Sequence, residues 1–276
     1  MKYIKTASRS LKGLLWVLLV TMAGAFWGCG SPSGKPGAGG IAISFDDHFI
    51  KEWYELRPLF QKYNAKVTFF ITCPDSLKAE EAAMLKQLEK EGHEIGFHGT
   101  VHAKSTELMT AGGPKGYIEA ELEPGLRHMN AAGFKPTSYA HPGGNHNGRV
   151  DSVLLAKGFT TLRDVAISRR KYKGFQLYAW PPRWMNAIYY IFDGEQKVDA
   201  LMIDYDEVTE EEIAEAILEA KENGTALMIF GHEPLYSEPK NGKYGFNVSF
   251  LAAVLREADK QKLKFYTMSE LPKSNN

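Results

Sequence analysis

From residue 41 onward, apolar positions either alternate or recur at helical intervals, and the two patterns take turns along the chain. Ile41-Ala-Ile-Ser-Phe45 is a short apolar run that stops abruptly at Asp46, Asp47 and His48. Successive side chains on a strand face opposite ways, so an Asp pair can share one site only where the strand has just ended. Residues 49–63 then carry Trp53, Leu56, Leu59, Phe60 and Tyr63 at mostly three- and four-residue intervals. That spacing predicts a helix with one apolar face, and Pro58 is placed to kink it. A buried strand over 67–71 follows, then a helix over 79–91 stopped by Gly92, then a third strand over 93–97.

The alternation continues with a helix over 117–131, a short strand at 138–140, a helix over 149–157 and a strand at 160–163. Residues 172–201 are aromatic and Pro-rich and read as an insertion or as irregular strands. A helix over 209–222 opens with a Glu-rich turn, where negative charge suits the helix dipole. A buried strand at 226–231, a helix over 248–261 and a last strand at 263–268 complete the order. The βαβ spacing and the lack of a repeat or second linker predict one α/β domain, a barrel. Such folds keep their chemistry at the carboxyl ends of strands, which is where the Asp pair falls. The plainer role for Asp46 and Asp47 is to cap the helix that follows.

Composition separates the first segment from the rest. With 276 residues, 44% of them hydrophobic, the chain is ample for a buried core and is neither disordered nor fibrous. Lys2, Lys5, Arg9 and Lys12 precede an apolar run over 14–27, followed by Gly28-Cys29 and a Gly/Pro/Ser stretch. That is the order of a secretory signal, too short and poorly flanked for a membrane span. Gly28-Cys29 resembles a bacterial lipoprotein cleavage site, at which the cysteine becomes the lipidated N-terminus and holds the protein to the membrane. Phe26 and Trp27 depart from the usual Leu and small residue, so ordinary cleavage or an uncleaved N-terminal anchor stays open. The expected organisation is a lipoprotein-type signal peptide at 1–28, a flexible tether at 29–40 and a folded domain at 41–272. The expected location is outside a bacterial cell, lipid-anchored to the envelope or surface, with a secreted or periplasmic form as the alternative. Cys73, the other cysteine, has no obvious partner, and a disulfide to Cys29 is the less favoured reading.

Basic and acidic residues number 33 each. The first 28 residues hold four basic and no acidic side chains, so 29 basic face 33 acidic in the remainder, a net of minus four. This balance argues against a nucleic-acid partner held by phosphate contacts.

Three further polar clusters each follow a strand. His98-Gly-Thr-Val-His102 places two imidazoles four apart, which on a helical turn would share one face as metal ligands do. It lacks the Glu beside the first His of a thermolysin-type site, so a third ligand must come from elsewhere, and the Asp pair can supply it. Chance surface placement is the plain alternative for two histidines. Tyr139-Ala-His-Pro-Gly-Gly-Asn-His146 is a tight turn whose adjacent glycines permit close backbone approach to a ligand, or an ordinary loop. Phe230-Gly-His232 ends the most hydrophobic strand; a lone histidine there is more often structural, but its strand-end position matches the others.

Taken in order, Ser44-Phe-Asp-Asp-His48, His98-Gly-Thr-Val-His102, Ala140-His-Pro-Gly-Gly144 and Leu227-Met-Ile-Phe-Gly-His232 resemble the successive motifs of the polysaccharide deacetylases, carbohydrate esterase family 4. The resemblance runs from Ile41 to Leu271, and its specific parts are the first motif and the paired histidines. It implies a distorted (β/α) barrel of about seven strands and a metal-dependent hydrolase that removes acetyl groups, by N-deacetylation, from an acetylated polysaccharide or oligosaccharide of the envelope or environment. It implies a divalent metal, Zn2+ or else Co2+, Mn2+ or Ni2+, held by Asp47, His98 and His102. By the same carry-over Asp46 is the general base, His232 the general acid, and the Gly143 backbone N–H an oxyanion donor.

The departures are specific. His48 replaces a usual Gly, Gly99 a Ser or Thr, and Phe230 a Leu of the acetyl pocket. Ala140 stands where many members carry an Arg that orients the catalytic Asp; His141, Arg149 and Arg163 are the candidates to replace it. The Asp that tunes the acid His has no clean match, with Asp164 the candidate. These gaps keep two other readings open: an O-acetyl esterase on the same scaffold, and a surface glycan-binding lipoprotein that kept the barrel and lost catalysis. Trp180, Trp184, Tyr189 and Tyr190 could stack on sugar rings but are expected in the core.

Overall fold

The computed structural model describes residues 39–172, 175–178, 180–204, 208–237 and 245–273. The chain divides into residues 1–35 and 36–276, and every described residue belongs to the second unit. The expected signal peptide, Cys29 and nearly all of the tether therefore lie outside the described residues.

Seven parallel strands form a closed ring: β1 (Gly40–Asp47), β2 (Thr68–Ile71), β3 (Glu94–Phe97), β4 (Ser138–Ala140), β5 (Thr161–Ala166), β6 (Lys197–Met202) and β7 (Ala226–Gly231). Closure comes from β1 against β7, in register from Gly40↔Ala226 to Phe45↔Gly231. The expected barrel is present, but its membership differs from the sequence reading. β6 lies almost wholly in the stretch read as irregular, where Lys197 and Asp199 break its apolar pattern. The last strand, β8 (Lys264–Tyr266), is outside the ring. It pairs with β1 at Gly40–Ala42, while β2 pairs with β1 only from Ser44 to Asp47. The chain that follows plugs the opening: the Met268 N–H donates to Thr68 Oγ1 at 2.9 Å, and Met268 and Leu271 join the interior.

The helices also depart in detail. Residues 49–63 form two short helices, Ile50–Glu55 and Arg57–Lys62, because Pro58 cannot supply the N–H that would continue the first. The helix expected over 117–131 is Glu123–Ala131 joined through a π turn, Ile118–Leu122, to an additional helix, Ser105–Tyr117. Gly112, Gly113 and Pro114 hid that helix from a periodicity reading, and Gly113 kinks it at φ 63°. Helix Glu210–Asn223 matches its expected start, with Thr209 and Glu212 capping each other.

Period-two alternation sorts the strand residues into two layers. Ile41, Ile43 and Phe45 pack outward against the helices, where Phe45 lies 5.0 Å from Phe246 and 5.8 Å from Phe69, ring centre to ring centre. Ala42, Phe70, Ala140, Met228 and Phe230 pack inward. The same parity carries Asp46 into the barrel, two residues beyond Ser44.

Candidate active site

Except for Arg163, which lies within its strand, the side chains of the site stand at or past the carboxyl ends of barrel strands. Asp46 and Asp47 end β1, His98 follows β3, Arg163 lies in β5, Asp204 follows β6 and His232 follows β7. Asp46 is buried and Asp47 is a third exposed, since β1 turns out of the sheet at Asp47 with φ 87°. A non-glycine residue in that region costs about 1–2 kcal/mol, which the surrounding contacts offset. The helix-capping role for the pair is not realised: Phe49 is the N-cap of the following helix and no side chain caps it.

Asp47, His98 and His102 converge. His98 Nε2 lies 3.6 Å and His102 Nε2 3.8 Å from Asp47 Oδ1, and the two imidazoles are 4.9 Å apart between ring centres. Ligands each about 2.0 Å from a tetrahedral ion stand about 3.3 Å from one another, so these donors need only small movements to share one. The two histidines do not ride a helical turn, as their spacing suggested. They sit in a loop that reverses through Gly99 (φ 86°) and His102 (φ 57°). His98 Nδ1 lies 2.9 Å from the Ala140 carbonyl, which fixes the proton on Nδ1 and turns Nε2 toward Asp47. Burial is the largest influence on His98 and, with Arg163 and His102, outweighs Asp46 and Asp47, lowering its pKa to about 4. A neutral imidazole with its tautomer set is the form a metal requires.

Arg163 replaces the arginine missing at 140. Ala140 and Arg163 are direct partners across the β4–β5 ladder, so their side chains leave the same face at the same height. The fully buried guanidinium donates from Nη2 to Asp46 Oδ2 and lies between Phe70 and Phe230, 5.5 and 4.2 Å from their ring centres. Phe230, where the resemblance has a Leu, is thus part of the arginine's seat. Burial pushes the Asp46 carboxyl up, but Arg163, aided by His98 and His232, outweighs it and holds Asp46 below its usual range. Its other oxygen, Oδ1, is buried with no hydrogen-bond partner among the described residues.

Asp204, not Asp164, partners His232. Its Oδ2 pairs with His232 Nδ1 and its Oδ1 accepts the His232 backbone N–H at 3.1 Å. Trp53 Nε1 donates to the His232 carbonyl at 2.9 Å. Burial lowers the His232 pKa, but the bond to and charge of Asp204, then Asp46 and Asp47, outweigh it and raise the pKa to about 9. Asp204 could have been found by the rule that singled out the others, a carboxylate just after an apolar strand end, had β6 been recognised.

Asp164 belongs to a second cluster. His146 lies between Asp151 and Asp164, at 2.9 Å from Nδ1 and 2.7 Å from Nε2, and His141 Nε2 is 3.5 Å from Asp151. His141, His146 and Asp151 offer donor atoms close enough for an ion. Their imidazoles, however, stack at 4.3 Å and 21°, and an ion in the plane of both rings needs planes that intersect at it. This cluster anchors the Pro142–Gly144 turn. That turn uses the amides of Gly144 and Asn145 on the carbonyls of His141 and Pro142; the Gly143 amide is not among them, and Gly143 has φ 57°. Trp180 and Trp184, expected in the core, are exposed, while Ile188 and Tyr190 beside them are buried. Cys73 is buried, and its thiol, raised by burial to about 11, donates to the Asp75 carbonyl.

The polysaccharide deacetylase family model matches residues 33–162, a stretch that contains Asp46, Asp47, His98, His102 and Gly143. The chain is similar to that family over this stretch, a little under half of its length. A curated protein of Bacillus subtilis strain 168, the uncharacterized protein YlxY, is 25% identical over 123 residues, covering 44% of this chain and 35% of the relative. The match thus spans about a third of that relative's length. Among solved structures, the peptidoglycan deacetylase PdaC of Bacillus subtilis superimposes with a TM-score of 0.52 at 18% identity, over 87% of this chain and 93% of that one. The Xyl-CE4 domain of a multidomain xylanase from the hindgut metagenome of Trinervitermes trinervoides gives 0.53 at 15% identity, over 86% and 91%. These likenesses establish a shared fold.

Proposed function

We propose that this protein is a metal-dependent hydrolase that removes N-acetyl groups from an acetylated envelope or environmental glycan. The observation that carries the reading is the convergence of Asp47, His98 and His102 beside a second carboxylate held ionised and an imidazole held protonated. Asp47, His98 and His102 would hold the ion, as their donor types, spacing and the set tautomer of His98 fit. A divalent ion there acts as a Lewis acid and brings the pKa of water from about 15.7 down toward about 7. Asp46 takes a proton at Oδ1, since Arg163 occupies Oδ2. His232, fixed by Asp204 at Nδ1, delivers a proton from Nε2 to the departing amine. The two groups have pKa values pushed apart in the directions that a base and an acid require. The Gly143 amide, on a turn with positive φ, is offered to the developing oxyanion.

Arg163 and Asp204 fill the two roles whose absence favoured a binding-only protein, so the enzyme reading is the stronger. Membrane attachment through lipidated Cys29 is part of the proposal and rests on the sequence alone; no described helix is long and apolar enough to cross a membrane. The test is incubation of metal-loaded protein with N- and O-acetylated oligosaccharides and peptidoglycan fragments, with released acetate as the readout. Asp47→Ala and His98→Ala should each abolish stoichiometric metal and at least 99% of the acetate release. Unchanged metal content and activity in both variants would sink the proposal.

A further inference from the structure

The loop that carries His98 and His102 has little to hold it in place from its own sequence. Val101 at its tip is 58% exposed, and Gly99 and His102 both adopt positive φ. What lies beneath is Glu121, a fully buried carboxylate in the π turn Ile118–Leu122. Its Oε2 accepts the Val101 N–H at 3.2 Å and its Oε1 the Ala103 N–H at 3.0 Å, bracketing His102. Its backbone carbonyl accepts both the Thr100 N–H and the Thr100 hydroxyl at 2.9 Å, and the same hydroxyl accepts the Gly125 N–H at 3.0 Å. A methyl group at position 99 would stand 2.1 Å from Glu121 Oε1, so the glycine leaves room for this carboxylate as well as permitting the turn. π turns recur at functional sites because they redirect one side chain without ending the helix. A buried carboxylate is costly unless donors surround it, and here the donors are the amides of the ligand loop itself.

We propose that Glu121 is a positioning residue for the metal site: its buried carboxylate ties the backbone on both sides of His102 so that His98 and His102 stay converged on Asp47. The inference rests on the metal-site reading above. Glu121 touches neither substrate nor ion and acts through the loop.

Three variants, Glu121→Ala, Glu121→Gln and Gly99→Ala, test it by two measurements. The first is divalent-ion affinity by competition with a chromophoric chelator, using Zn2+ as the probe. Glu121→Ala and Gly99→Ala should weaken binding about ten- to a hundredfold. Glu121→Gln keeps one acceptor oxygen but turns an NH2 group toward an amide donor, and should fall between wild type and alanine. The second is amide hydrogen exchange of Val101 to Ala103 in metal-free protein, which should accelerate in all three while exchange in β1 and β7 is unchanged. Wild-type exchange rates at 101–103 in Glu121→Gln and Glu121→Ala would overturn the proposal, as would full Zn2+ affinity in both. If wild-type protein itself binds no Zn2+, the catalytic reading fails while the exchange measurement still decides whether Glu121 holds the loop.

Discussion

His232 carries a proton at a pH where an isolated imidazole, with an ordinary pKa of about 6.5, has largely lost it. The main cause is Asp204, bonded to both the ring and the backbone of the same residue, with Asp46 and Asp47 adding to it against the opposing effect of burial. The sign of the pH dependence follows. An acid with its pKa raised to about 9 stays competent through neutrality and is lost as pH climbs past 9. In wild-type protein kcat/KM should therefore hold through neutral pH and decline on an alkaline limb near 9. In Asp204→Asn, with the bond partner retained but its charge removed, that limb should move down by about two units, and the rate at pH 8 should drop about tenfold. A limb that stays in place would show that another group supplies the proton.

At the scale of elements, the decisive fact is register. The guanidinium that pairs with Asp46 comes not from position 140 of β4 but from its ladder partner Arg163 in β5, one strand spacing away. If the proposed function requires only a guanidinium at that height in the barrel, either strand should be able to deliver it. Arg163→Ala would leave Asp46 buried without its counter-charge, a change that typically costs 3–5 kcal/mol for a buried pair, and kcat should fall by about a hundredfold or more. Moving the arginine back, as Ala140→Arg in the Arg163→Ala background, refills the vacated volume between Phe70 and Phe230. It should recover at least tenfold of the loss in acetate release and raise the melting temperature above that of the single variant. Failure to recover either quantity would mean that the β5 location itself matters.

For the whole molecule, the site joins the ring at its closure, because Asp46 and Asp47 end the strand that pairs with β2, β7 and β8. An ion binding Asp47, His98 and His102 therefore ties β1 to the loop after β3 and is linked to global unfolding. At a hundredfold excess over its dissociation constant such a ligand stabilises by about 2.7 kcal/mol, and in a domain of this size each kcal/mol moves the melting temperature by about 2–4 °C. Chelation should thus lower the wild-type melting temperature by about 5–11 °C in a calorimetric scan and leave that of Asp47→Ala unchanged. Equal melting temperatures with and without chelator would exclude the linkage.

Local signals in the chain were enough to specify the alternation of strands and helices, the barrel class, and the strand-end clusters at Asp46-Asp47, His98-x-x-x-His102 and His232. Each of these depends on residues close in sequence, whose period or adjacency survives without knowing the fold. Strand membership, the Arg163–Asp46 pair, the Asp204–His232 pair and the Glu121 support of the ligand loop were settled only by tertiary structure. Those contacts join residues 18 to 117 positions apart. Such a pairing depends on which strand neighbours which, and in what register. No spacing rule encodes that choice, because several arginines and aspartates in this chain satisfy the same local chemistry and only ring closure selects among them.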